Sequence, residues 1–507
     1  MTGGAMALQV SYFAVLSLLS LYGVHRLWLA WVYLTRRGSS ADLSGTAPPA
    51  GPDGWPVVTV QLPVYNERRV ARRLIDAACA LRYPEGRLEI QVLDDSTDET
   101  QAIAAHAVAS YRARGYDIHH VVRGSRDGYK AGALAHALPR ARGEVIAIFD
   151  ADFAPLPDFL LRCVPRLMAG GDSRTGLVQA RWGHLNRDAS WLTRAQALLL
   201  DGHFVVEHGA RRLAGRFLNF NGTAGVFRRE CIEQAGGWQS DTLTEDLDLS
   251  YRAQLAGWRF DYLDEVEVPA ELPACLDALR SQQRRWAKGS VQTALKLMPR
   301  LMRAPLPAGV KLEAAFHLTN NLPWLLTALL AALIVPALRA RAELPWTYLA
   351  LDLPLLLAGT GSFMAFCAVA QRRLRRDWLH ALVSLPVVMA IGMGLSLNNA
   401  LAVLDGLTGR QSPFHRTPKE GSPRPDGPAL PASYRSGISP IVLLEGGFAA
   451  FFCVTVAQEL AAGRWATLPF LALFAGGFVH VTLLTVAQGL SPLLTKAPRH
   501  AAGAPAR

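Results

Sequence analysis

Apolar runs of span length at both ends of the chain, around a polar middle, constrain this sequence most. A bilayer core about 30 Å thick takes about 20 apolar residues in a helix. Runs of that order cover Met6–Val24, Ala315–Leu338, Trp346–Ala370, Leu379–Leu401, Ile438–Leu460 and Ala466–Ala487. One such run could be a buried core helix, but several at this density read as five or six spans. The first lacks a positively charged leading segment and a small-residue cleavage site before Arg36, so it reads as an uncleaved anchor rather than a signal peptide. Between the runs, Trp55 to Pro305 interleaves charged and apolar residues as a soluble domain does.

The formal charge of +11 raises nucleic acid as a partner, yet no nucleic-acid motif accompanies it. Much of it flanks the runs at Arg36, Arg37, Arg372, Arg373, Arg375 and Arg376, as the positive-inside bias and attraction to anionic lipid require. The six cysteines are widely spaced without a CxxC pair, which opposes a disulfide framework or zinc site and fits a reducing compartment.

The spacing divides the chain into an anchor over 1–36, a Gly/Pro/Ser/Ala-rich linker over 37–55, a soluble domain over 56–305 and helices over 306–410. A polar loop over 411–437, an apolar hairpin over 438–490 and a tail over 491–507 follow. Within the soluble domain, β-branched runs at Val57–Leu62, Glu89–Leu93, Ile118–Val122 and Val145–Phe149 predict strands. Helical periodicity separates them, with Val70, Leu74, Ala77, Ala78 and Leu81 on one face and a second stretch from Glu99 to Arg112. The alternation predicts a mostly parallel sheet covered by helices on both faces. Ligands of such sheets bind beyond the carboxyl ends of the strands.

The acidic residues lie at those ends. Asp150 and Asp152 directly follow the strand VIAIF, where two carboxylates one residue apart reach a shared metal ion and through it a diphosphate. Asp94-Asp95 ends the second strand, either as a capping turn or as acceptors for a base or ribose. Gly128–Gly132 reads as a small-residue loop carrying Lys130 for a phosphate. Glu245-Asp246 begins a helix marked by Leu247, Tyr251 and Leu255, whose dipole favours an ionised Asp246 and so a general base. Gln282, Arg285 and Trp286 share one helical face, offering hydrogen-bond donors and an indole platform for a sugar ring. No P-loop or GxGxxG is present.

The ordered set Asp94-Asp95, Asp150/Asp152, Thr244-Glu245-Asp246 and Gln282/Arg285/Trp286 resembles the D, DxD, TED and QxxRW motifs of the family 2 glycosyltransferases, in particular the membrane-embedded cellulose-synthase-like enzymes. VQLPVYNE (60–67), QVLDDSTD (91–98), GYKAGAL (128–134), FNGTAG (220–225) and QQRRW (282–286) are similar to the mannan and glucomannan synthase-like branch. The resemblance implies an α/β GT-A domain, Rossmann-like, joined to a polytopic helical membrane domain, and an inverting transfer that turns an α-linked donor into a β-linkage. It implies that Asp94, Asp95 and Lys130 bind the donor, and that Asp150 and Asp152 hold its diphosphate with Mg²⁺ or Mn²⁺. By the same resemblance Asp246 is the catalytic base, and Glu245, Gln282, Arg285 and Trp286 serve the acceptor and diphosphate. Phe414–Lys419 resembles the gating loop of these synthases, with Arg416, Thr417 and Lys419 closing over the diphosphate, although FxRTPK departs from the FxVTxK of bacterial cellulose synthases. The implied partners are a nucleotide-sugar donor, UDP-glucose or GDP-mannose, and a growing β-glycan moved across the membrane, or alternatively a single lipid acceptor. The implied location is the plasma (inner) membrane with the catalytic domain cytosolic.

That topology sets a condition. If Leu379–Leu401 crosses the bilayer, the segment with Arg416 emerges on the side away from the donor. An interfacial or re-entrant course, permitted by the polar Asn398, Asn399 and Asp405, removes the conflict. A transporter with an accessory domain would need ionisable residues deep in several spans, and only His25 and Arg26 stand out.

Overall fold

The computed structural model describes residues 3–36, 54–169, 174–341, 348–374, 378–409 and 440–494. Arg416, Thr417 and Lys419 therefore lie outside the described residues. Helix α1 (Gly3–Arg36) leads into the soluble domain. Its first half alternates β1 (Val58–Val64), α2 (Ala71–Cys79), β2 (Leu88–Asp94), α3 (Thr100–Arg112), β3 (Ile118–Val122), α4 (Tyr129–Ala137) and β4 (Val145–Ile148). Its second half holds α5 (Phe159–Met168), β5 (Thr175–His184), α6 (Trp191–Asp201), a π-helical stretch (Gly202–His208), α7 (Gly209–Leu213), β6 (Gly225–Arg228), α8 (Arg229–Gln234), α9 (Glu245–Leu255) and β7 (Arg259–Ala270).

The seven strands form one sheet in the order β3-β2-β1-β4-β6-β5-β7. All neighbours are parallel except β6, which runs antiparallel to β4 and β5. This is the mostly parallel, two-faced sheet expected from the alternation. On one face α2, α3 and α5 bury Leu74, Val108 and Leu160 against Val60, Val92 and Ala147. On the other, α4, α8 and α9 bury Leu134, Ile232 and Leu249 against Ile146, Ile148 and Phe227. The central strands β1, β2 and β4 are thus covered on both faces, which explains their near-continuous apolar runs.

Two local expectations need correction. Gly128–Gly132 is not a loop: Gly128, at φ +69°, and Tyr129, at φ +50°, are left-handed, and Gly128 caps α4, which already contains Lys130. Gly132 lies inside that helix because a Cβ there would sit 1.9 Å from the carbonyl oxygen of Asp127. The apolar run Ala315–Leu338 is also not one helix. It divides into α11 (Ala308–Leu318) and α12 (Leu322–Arg339), since Pro323 lacks the N–H that would extend the first into the second.

Helix α10 (Leu276–Arg303) links the soluble domain to α11, α12, α13 (Leu353–Arg373), α14 (Trp378–Leu407), α15 (Ile441–Ala461) and α16 (Leu468–Leu494). Among the described residues, six helices are long and apolar enough to cross a membrane: α1, α12, α13, α14, α15 and α16. The chain has the build of an integral membrane protein. Helix α14 differs from the rest, with 61% of its apolar window buried against 22–44% in the other five. Near its start, Ala381 packs in a cluster with Leu192, Leu198 and Leu279 of the soluble domain and α10. Near its end, Ala402 and Val403 pack on Ala287 and Val291 of α10, and Asp405 pairs with Arg284. The helix is unbroken over Trp378–Leu407 and touches the soluble domain or α10 near both ends.

Candidate active site

The carboxyl ends of β1, β2 and β4 open into a cleft of about 200 Å³, closed on the opposite side by the start of α9 and one face of α10. Asp95, Lys130, Asp150, Asp152, Glu245, Asp246, Gln282, Arg285 and Trp286 all line it. Residues spread over nearly two hundred positions thus converge, because parallel strands deliver their ends to one edge of the sheet.

The adjacent acids at the end of β2 part company. Asp95 lines the cleft and is gripped by Arg123, whose Nε and Nη2 donate to its two carboxylate oxygens at 2.7 and 2.6 Å. Asp94 does not reach the cleft. It is 1% exposed, accepts from the Ser96 N–H at 2.8 Å, and meets His120 Nε2 at 2.8 Å. Successive side chains of a strand point to opposite faces, so the pair could not both face one ligand. Asp94 braces the turn; of the two, only Asp95 lines the cleft.

Asp150 follows β4 with its N–H donating to Thr223 Oγ1 at 3.0 Å. Lys130 Nζ lies 2.6 Å from Asp150 Oδ1 and donates to the Gly222 carbonyl at 2.8 Å. Gly222 has φ +83°, and a Cβ there would lie 3.1 Å from Asp246 Oδ2 and 3.3 Å from Lys130 Nζ. The glycine turn of FNGTAG is therefore the floor on which lysine and aspartate meet. Burial lowers the affinity of Lys130 for its proton, but Asp150 and Glu245 outweigh it and the ammonium is held more tightly than usual.

Asp246 occupies the first turn of α9, and its Oδ1 accepts from the Leu247 N–H at 2.8 Å. The helix dipole alone favours an ionised carboxylate. Burial, and after it the neighbouring Glu245, overcome that preference and push the Asp246 carboxyl up to about 7. Burial likewise raises Glu245 and lowers Arg285, the latter opposed by Glu245 and Asp150. A carboxyl near neutrality is well matched to removing a hydroxyl proton.

Among the described residues, no three His, Cys, Asp or Glu side chains form a metal-sized cluster. The two hard-oxygen donors Asp150 and Asp152 still suit Mg²⁺ or Mn²⁺, since Mg²⁺ commonly takes one or two carboxylates and completes its shell with water and substrate phosphate. Gln282 and Trp286 line a second cavity as well, about 430 Å³, which continues between α1, α12, α13 and α14 past Tyr22, Trp324 and Phe363. Sequence reasoning assigned no role to Tyr65, Arg126, Asn221 or Glu271, all in the cleft wall. The Arg126 guanidinium stacks over Tyr65 at 3.4 Å. The quoted segments VQLPVYNE and FNGTAG held the signal for Tyr65 and Asn221.

This sheet, with its acidic strand ends and a cleft roofed by α9 and α10, is a GT-A glycosyltransferase fold. Residues 56–289 match the model described as Glycosyltransferase like family 2. It is 45% identical over 257 residues to Glucomannan 4-beta-mannosyltransferase 2 of Arabidopsis thaliana, covering 50% of this chain and 48% of the relative. Identity to Glucomannan 4-beta-mannosyltransferase 1 of Oryza sativa subsp. japonica is 43% over 260 residues, 50% of each chain. The chain thus spans about half the length of the curated relatives it matches. Among solved structures, a mannosyltransferase of Pyrobaculum calidifontis in complex with GDP-Man and Mn²⁺ superposes with a TM-score of 0.52 at 25% identity. That match covers 73% of this chain and 99% of the other.

Proposed function

We propose that the protein is an inverting hexosyltransferase that moves a sugar from a nucleotide-sugar donor to a growing β-glycan and passes the product into the membrane helices. One observation carries the reading: Asp246 lies in the same cleft as the Lys130–Asp150 pair on one side and Trp286 on the other, and Trp286 also lines the cavity between the helices.

In the proposed reaction Asp95 and Arg126 contact the nucleoside, while Lys130 and Arg285 face the diphosphate. Asp150 and Asp152 would hold Mg²⁺ or Mn²⁺. Such an ion supplies charge neutralisation for the departing diphosphate. Trp286 and Gln282 seat the acceptor sugar. Asp246 takes the proton of the acceptor hydroxyl as its oxygen bonds to the anomeric carbon. The bond from that carbon to the donor phosphate breaks, and its electron pair leaves with the nucleoside diphosphate. Attack opposite the leaving group inverts the configuration.

The glucomannan mannosyltransferases at 42–45% identity and the solved neighbour with GDP-Man favour GDP-mannose over UDP-glucose as donor. Arg372 and Arg373 at the end of α13, with Arg373 paired to Asp264 of β7 at 3.2 Å, support a cytosolic soluble domain by the positive-inside rule. A second reading, transfer of one sugar to a membrane lipid, draws on the largely apolar lining of the inner cavity, including Leu330, Met393 and Phe474.

Purified protein reconstituted in vesicles with radiolabelled GDP-mannose or UDP-glucose and Mg²⁺ or Mn²⁺ tests both. A long product cleaved by a β-mannanase or β-glucanase supports the polymer synthase and names its donor. One sugar extracted with the lipid phase would establish the second reading. No incorporation from either donor would reject the proposal.

A further inference from the structure

Behind the Gly222 turn runs a chain of buried and half-buried polar side chains that the proposed reaction does not use. It begins at Asn221, whose side-chain oxygen accepts from Asn219 Nδ2 at 2.6 Å and from His208 Nε2 at 3.1 Å. Its amide nitrogen faces His203 Nε2 at 3.1 Å. His203 Nδ1 meets Glu207 Oε2 at 2.7 Å. Arg211 lies 3.7 Å from Glu207 Oε2 and donates to Glu313 Oε1 at 2.8 Å. Glu313 Oε2 meets His25 Nε2 of α1 at 2.5 Å.

These contacts fix protons as well as positions. His208 is fully buried between aromatic rings, and burial drives its proton affinity far below the usual range, so it is neutral. Its Nδ1 has no partner among the described residues, which suits a bare nitrogen and leaves the ring proton on Nε2, aimed at Asn221. The Asn221 oxygen is then occupied by two donors, and its NH₂ must face His203. His203 can accept there only if Nε2 is bare, and Glu207 requires a proton on Nδ1. Both partners select the same tautomer. Although burial opposes it, Glu207 is held well below the usual carboxylate range by His203, with Arg211 and Arg26 adding to the effect, so it remains a charged acceptor.

The chain ends where the reaction is proposed to occur. Asn221 precedes the Gly222 carbonyl that holds Lys130, and the Gly222 turn packs on Asp246. The stretch carrying His203 and Glu207 is a π-helix wedged under the membrane helices: a Cβ on Gly202 would strike Phe366 of α13 at 2.3 Å, and one on Gly209 would strike Tyr33 of α1 at 2.6 Å. π-Helical turns of this kind recur at functional sites.

We propose that His203 is a positioning residue: as its Nδ1–H tautomer it fixes the amide of Asn221, and so the Gly222 turn that sets Lys130 against Asp246. Through Glu207, Arg211 and Glu313 the same clamp ties the turn to His25 of the anchor helix. The charged and titratable groups facing the His203 ring or its carboxylate partner are Glu207 and His208 from the same stretch, Arg211 from α7, Arg26 from α1 and His317 from α11, with Glu313 and His25 beyond Arg211.

The inference rests on the hexosyl-transfer reading for its kinetic test, so a second readout is independent of activity. His203→Phe removes the acceptor for Asn221 and slows kcat about tenfold or more, the effect of one buried donor left unpaired, with donor KM nearly unchanged. His203→Gln, whose side-chain oxygen replaces Nε2 as acceptor, restores kcat to within about threefold. Asn221→Asp places an acceptor opposite Nε2 and requires a doubly protonated His203. Its rate therefore falls on the alkaline side where the wild type's does not, and adding His203→Gln, which can turn its amide to donate, removes that fall. Nitrogen NMR of ring-labelled histidine, assigned against His203→Gln, shows the proton on Nδ1 whether or not sugar is transferred. A folded His203→Gln as slow as His203→Phe, an unchanged alkaline profile for Asn221→Asp, or a proton on Nε2 would each overturn the clamp. Absence of transfer by the wild type with a proton on Nδ1 overturns the proposed reaction and leaves the clamp standing.

Discussion

The buried position of Asp246 has a consequence that a pH-rate profile reads directly. As a base it acts only when ionised, and burial together with Glu245 raises its carboxyl to about 7. A group titrating there is roughly one-tenth ionised at pH 6 and nine-tenths at pH 8, so kcat/KM for the nucleotide sugar rises about tenfold across that range. An aspartate at its ordinary value is fully ionised throughout and gives a flat profile. The donor does not confuse the reading, because both phosphates of a nucleotide sugar are esterified and lack an ionisation near neutrality. The ratio kcat/KM is the right quantity, since it reports the free enzyme, the state in which these carboxyls face each other. Two substitutions give the limb its assignment. Glu245→Gln removes a neighbouring negative charge and moves the limb to lower pH. Lys130→Met removes the cation that opposes the rise and moves it to higher pH. The assay is initial-rate sugar incorporation at fixed saturating metal, with the position rather than the height of each limb compared. A flat wild-type profile between about pH 6 and pH 8, or a limb that neither substitution moves, would falsify the assignment of Asp246 as a buried base.

Three further outcomes follow from single contacts. Asp152→Ala weakens donor binding only in the presence of Mg²⁺ or Mn²⁺; calorimetry with a non-transferable donor showing equal metal-dependent affinity in the variant would remove Asp152 from the metal site. Gly222→Ala forces a side chain into a left-handed conformation 3.1 Å from Asp246 Oδ2. It destabilises by about 1–2 kcal/mol and costs about tenfold or more in transfer, so an active variant with unchanged melting would show that the turn does not seat Asp246. In the membrane domain, α14 and α16 approach through glycines: a Cβ on Gly394 would lie 2.4 Å from the Gly477 carbonyl, whereas one on Gly392 has nothing nearer than 3.9 Å. Gly394→Ala therefore costs about 1–3 kcal/mol by overpacking, while Gly392→Ala is neutral or slightly stabilising, and equal melting temperatures for the two would refute the close approach.

The part of the fold legible in the sequence was the part built by repetition. Strands β1, β2 and β4 are largely buried on both faces, and β2 and β4 end in acids, so pattern and function coincide at Asp95, Asp150 and Asp152. Strands β5 and β7 were not legible. Thr175–His184 mixes glycine, arginine and tryptophan, and Arg259–Ala270 carries acids among its buried residues, because they serve the cleft wall and the ion pairs of α5 and α7 rather than a uniform core. The site was legible as residue types but not as directions. Adjacent aspartates read alike in a sequence, and only the pleat separates Asp95 in the cleft from Asp94 against His120. Asp246 was found by its place at a helix start. The dipole argument gave the wrong direction for its proton because burial depends on α10 and β4, which are distant in sequence.

Helix α14 required another kind of reasoning. Its hydropathy of 1.8 is shared by three of the other candidate spans, so no local pattern sets it apart from them. What sets it apart is tertiary: Ala381 packs in the cluster around Leu192, and Asp405 pairs with Arg284. The same course makes α14 a wall of the inner cavity, through Val388, Ile391 and Leu395, while its end is pinned next to Arg285 and Trp286. A helix held in this way borders both the end of the cleft formed by α10 and the inner cavity.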